Sequence, residues 1–120
     1  MIILFEQKVG DEVYKVNYVD DKNLFAGFDM ECSCCENPKH WIENSAGEKI
    51  ELNNRHNHLV FTGALPEEDD DFMGVYTARI PLKDIITNEL HYLVFSNCHN
   101  GYYAHGYEFG KRQITTEGYL

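Results

Sequence analysis

The residues able to do chemistry in this chain are four cysteines and six histidines, unevenly spaced. Cys32, Cys34 and Cys35 lie together in "CSCCE". Cys98 stands alone in "SNCHNGYYAHGYEFG", Ser96 to Gly110. Cys32 and Cys35 have the C-x2-C spacing of a zinc knuckle, with Cys34 as an alternative ligand. Cys98 and His105 would complete a Cys3His set, the thiolate and imidazole donors that zinc prefers and that couple metal binding to folding. Against this stands the ordinary behaviour of buried thiols, which pack as small hydrophobes. A third chemistry is nucleophilic, with Cys98 as thiolate and His105 as base.

The pairing of Cys98 with His105 depends on a hairpin. Asn100-Gly101 is the strongest short hairpin signal, because both central residues of a type I′ turn need positive φ. With the turn there, Ser96 faces His105 and Cys98 faces Tyr103. Cys98 and His105 then lie on one face as a diagonal pair, roughly 7–8 Å apart. Cys98 and His99 are split to opposite faces by the pleat, and a one-residue slip would overturn the assignment.

The segments that must position these groups alternate with period two. Tyr14, Val16 and Tyr18 share a face, as do Leu24, Ala26, Phe28 and Met30. Ile50 and Leu52, Leu59 and Phe61, and Tyr76, Ala78, Ile80 and Leu82 repeat the pattern. "LHYLVFSN" is apolar on both faces and reads as a central strand. Asp20-Asp21-Lys22-Asn23 is a turn signal, and Ser45-Ala46-Gly47 between "HWIEN" and "EKIELN" is a short hairpin turn. No helical stripe appears, and the best candidate for a single helical turn is "LKDIITNEL", with Asp84 as its cap. The expected fold is a single all-β domain over residues 1–120. It is an antiparallel sandwich or barrel of about eight or nine short strands with at most one short helical turn. "PEEDDDF" reads as a loop, since its five consecutive acids lack the alternating ligands and glycine of a calcium loop.

Two short stretches resemble a group of small uncharacterised bacterial and phage-type proteins. The shared elements are Cys34-Cys35-Glu36 followed by an aromatic residue, and Asn100-Gly101-Tyr102-Tyr103-x-His105. The resemblance covers about a quarter of the chain and implies no activity.

Twenty acidic against ten basic residues give a net charge of −10. That field repels phosphate backbones and anionic bilayers, so neither nucleic acid nor membrane is an expected partner, while a basic protein partner suits it. No apolar run approaches a membrane span, and "MIILFEQKV" lacks the basic and cleavage regions of a signal peptide. The expected location is therefore cytoplasmic, with thiols rather than disulfides. The function expected from these features is a small acidic binding module. Tyr102, Tyr103 and Trp41 are its candidate contact residues, since aromatic anchors dominate binding surfaces. The alternatives are the structural zinc site of Cys32, Cys35, Cys98 and His105, and a thiol-dependent enzyme.

Overall fold

The computed structural model describes residues 1–22, 24–31, 37–52, 58–70, 74–98, 105–111 and 114–120. Two antiparallel sheets pack face to face without closing into a barrel. Among the described residues there are eleven strands and no helix. The first sheet contains β1 (Ile3–Val9), β2 (Glu12–Val19), β3 (Phe25–Asp29), β10 (Gly106–Lys111) and β11 (Ile114–Tyr119), in the order β1-β2-β3-β10-β11. The second contains β4 (Lys39–Glu43), β5 (Lys49–Ile50), β6 (Leu59–Phe61), β8 (Val75–Asp84) and β9 (Leu90–Cys98), in the order β5-β4-β9-β8-β6. β7 (Glu67–Asp70) also pairs with β8.

The period-two faces lie where the alternation places them except at Tyr14, which a bulge in β2 leaves exposed while Val13 packs against the core in its place. Val16, Tyr18, Ala26 and Phe28 from one sheet meet Ala78, Ile80, Leu82, Leu93 and Phe95 from the other in one buried core. Aromatic rings form its spine. Phe28 stacks on Phe95 with centroids 4.8 Å apart, and Tyr18 and Tyr107 tilt against Phe95 from either side. β9 is central, between β4 and β8. Its second apolar face is explained by Val94, which is fully buried on the outer side in the row Trp41–Val94–Arg79.

Three local expectations take physical form. The Ser45–Gly47 turn closes with Asn44 Oδ1 accepting from the Ala46 and Glu48 amides, and Gly47 adopts φ 81°. The turn expected after β2 is held, among the described residues, by Asp20 Oδ1, which accepts from Lys22 N and Leu24 N, while Oδ2 accepts from Phe61 N on β6. Asp84 caps a turn, not a helix. Its Oδ1 accepts from Ile86 N and Thr87 N, and Asn88 at φ 66° returns the chain into β9.

Two expectations are corrected. The acidic stretch is not a loop throughout: Glu67–Asp70 form an edge strand, where the exposed acids Glu67 and Asp69 discourage further pairing. Among the described residues, β9 and β10 do not pair with each other as the late hairpin requires, while its Asn100-Gly101 turn lies outside them. β9 already uses both edges, against β4 and β8, so β10 pairs instead with β3 and β11 in the opposite sheet. Ser96 stands opposite Lys39 and Thr77, not His105.

Candidate functional site

Of the residues singled out by sequence, Cys32, Cys34, Cys35, Tyr102 and Tyr103 lie outside the described residues, as does Asn100-Gly101. Cys98 is exposed at the end of β9, opposite Val75 and in phase with Ser96 and Val94 on the outer side of its sheet. His105 lies between the sheets, 3 % exposed, its ring 6.2 Å from Phe28. The Cys98–His105 diagonal therefore does not arise, because Cys98 ends β9 in the second sheet whereas His105 immediately precedes β10 of the first. His105 Nδ1 donates to the carbonyl of Asp29 at 2.6 Å, and its backbone exchanges two hydrogen bonds with Leu120. These contacts give it a tethering role.

The flanks of the two cysteine-bearing segments do converge. Asn97, fully buried, accepts from Asn37 N at 3.1 Å and donates to Leu120 O at 3.1 Å. Among the described residues, no group of three or more His, Cys, Asp or Glu side chains is arranged to hold a metal ion.

Trp41 sits on the outer face of the second sheet. Its Nε1 donates to Glu43 Oε1 at 3.0 Å, Lys49 Nζ lies 4.3 Å from the ring centroid, and Arg79 Nε approaches Glu43 Oε2 at 3.7 Å. Intramolecular partners thus occupy both its edge and a face.

The concave surface lies elsewhere, on the outer face of the first sheet. A groove of about 310 Å³ is lined by Gly27, Gly106 and Gly118, by Tyr14, Tyr107 and Tyr119, and by Asp29, Glu31, Glu108 and Glu117, with Lys15 the one cation among the described residues. Glycine makes the groove. Strand β3 lies between Lys15 on β2 and Glu108 on β10, and the ion pair Lys15 Nζ–Glu108 Oε1 passes over Gly27 at 2.9 Å. A Cβ at Gly27 would fall 3.2 Å from both Lys15 Cε and Glu108 Oε1 and 2.8 Å from Asn17 Oδ1.

Its far wall is a reciprocal pair of Gly-Tyr dipeptides. Gly106 stands opposite Tyr119, and Tyr107 opposite Gly118. The Tyr119 ring covers Gly106 on the outer face, and the Tyr107 ring covers Gly118 on the inner face. Tyr107 hydroxyl donates to Glu68, reaching across from β7. Burial, and then this carboxylate, push the Tyr107 phenol well above its usual range.

Tyr119 is 74 % exposed, and a second hollow of about 310 Å³ opens on its other side, lined by Glu68, Asp69, Tyr76 and Leu120. It is thus a ridge between two acid-lined depressions. Sequence reasoning did not single out Tyr119, which stands exposed, or separate it from Tyr107, which fills the core. The recurrence of Gly-Tyr at 106–107 and 118–119 was the available signal. No protein-family model, no curated protein and no solved structure matches this chain.

Proposed function

We propose that this protein is a binding module whose first-sheet outer face takes an extended basic segment of a partner protein. One observation carries the reading: Tyr119 stands exposed between two hollows lined by six carboxylates against one paired lysine. An Arg or Lys side chain laid across the ridge would meet the tyrosine ring face and a carboxylate together. The net charge of −10 draws such a partner from a distance.

Titration with an arginine-rich peptide and a neutral peptide of equal length tests this. Binding of the basic peptide should weaken as salt rises. Tyr119→Ala with Glu117→Lys should cost about tenfold or more in affinity. Equal affinity for the two peptides, or a variant that binds as well as the parent, would refute it. The zinc alternative of Cys32, Cys35, Cys98 and His105 gains no support from the described residues. Metal analysis of untagged protein decides it separately.

A further inference from the structure

The free edges of the two sheets are treated unequally. In the second sheet, β5 has two residues, β6 three, and the four residues of β7 are all acidic. Short and charged edges resist pairing with another chain. In the first sheet, β11 carries two threonines, a glutamate and a glycine between its terminal Ile114 and Tyr119. β1 is different: seven residues long, paired among the described residues only with β2, with Ile3, Phe5 and Val9 exposed at 49, 54 and 73 %. The register shift beside it does not interrupt it. Gln7 faces Lys15 and Lys8 faces Val13, so the extra residue is Tyr14 on β2, and β1 itself runs continuously.

We propose that β1 pairs antiparallel with β1 of a second copy of this chain, joining two first sheets into one continuous sheet. The strand is complementary to itself. Two-fold pairing that keeps like faces together requires opposing residues to share a face. Centring on Gln7 sets Glu6 against Lys8 of the second copy, twice by symmetry, and Phe5 against Val9. Centring on Glu6 would oppose two glutamates and is disfavoured. The ladder is short beside the roughly 1,600 Å² of a standard interface, so the dimer is weak and concentration-dependent. A two-fold axis perpendicular to the sheet leaves both outer faces on one side.

Sedimentation equilibrium of the full chain, from about 1 µM to about 1 mM, tests the pairing in a range suited to weak complexes. The parent should pass from monomer to dimer. Glu6→Lys and Lys8→Glu should each weaken association by about tenfold, since each turns two attractive pairs into two repulsive ones. The Glu6→Lys/Lys8→Glu double variant should recover it. Far-UV circular dichroism and melting curves confirm that each variant folds. A protein monomeric throughout, or a dimer indifferent to the single swaps, would overturn the proposal. The first outcome would leave the edge to a strand of a different chain. Neither outcome bears on the basic-peptide titration, which reads the groove.

Discussion

Tyr18 and His40 show how one contact sets a pH window. The Tyr18 hydroxyl donates to His40 Nδ1, joining β2 to β4 across the sandwich. The bond needs a protonated phenol and an imidazole neutral at Nδ1. Burial lowers the His40 pKa, outweighing the opposing pull of Glu6, so the folded protein resists its protonation. A histidine with a depressed folded pKa contributes stability above its unfolded value, near 6.5, and loses it as pH falls. Denaturant midpoints should therefore drop as pH falls below 6.5, and His40→Gln should flatten that part of the profile. Gly118 is the second decisive residue. A Cβ there would meet Tyr107 Cζ at 2.7 Å, and that ring is held in the core and cannot swing away cheaply. Gly118→Ala should destabilise by about 1–3 kcal/mol, measured by urea unfolding. Neither role is visible in the local sequence. Tyr18 was legible as an inward residue, but its partner lies 22 positions away in another sheet.

At the scale of elements, the β8–β9 turn is the clearest case of local sequence deciding local structure. Asp84 was recognisable as a cap, and its carboxylate accepts two amides of the turn. These hydrogen bonds, that from Thr87 first, hold the Asp84 carboxyl below its usual range. A depressed carboxyl stabilises above its unfolded pKa and loses that contribution as pH falls further. Asp84→Ala should cost about 1 kcal/mol at neutral pH, with the deficit against the parent vanishing in strong acid. β7 and the late hairpin are the opposite case. "EEDD" has low strand propensity, and pairing with the long strand β8 overrides it. Asn100-Gly101 is a sound hairpin signal, yet β9 had no free edge to offer β10. Turn chemistry is local, whereas strand pairing depends on which edges other strands have taken.

For the whole molecule, the two sheets are joined by a few polar bridges as well as by the core. Asp20 ties β2 to β6, Asn97 ties β9 to Leu120, and Glu68 ties β7 to Tyr107. Tyr18 and Tyr107 both have phenols raised above their ordinary value of 10.0, chiefly by burial. A phenol with a raised folded pKa contributes stability that is fully present below pH 10 and lost as pH rises further, because the unfolded chain ionises first. Chemical unfolding should hold steady up to about pH 10 and then weaken. The Tyr18→Phe/Tyr107→Phe double variant should lose less over the same range. If two copies join through β1, their grooves face one way. A partner with two basic segments would then bind more tightly than one with a single segment, by effective concentration. That consequence rests on both proposals.

The sequence by itself determined the all-β class, the inward face of most strands, and the turns at Asp20, Ser45–Gly47 and Asp84. Each follows from period-two alternation or from side chains bonding to amides two to four residues away. Tertiary structure decided which strands share a sheet. It thereby separated Cys98 from His105, enclosed Trp41 among its own neighbours, and raised Tyr119 as a ridge between two hollows. Those outcomes depend on competition among distant strands for a limited number of free edges. No short window of residues records that competition.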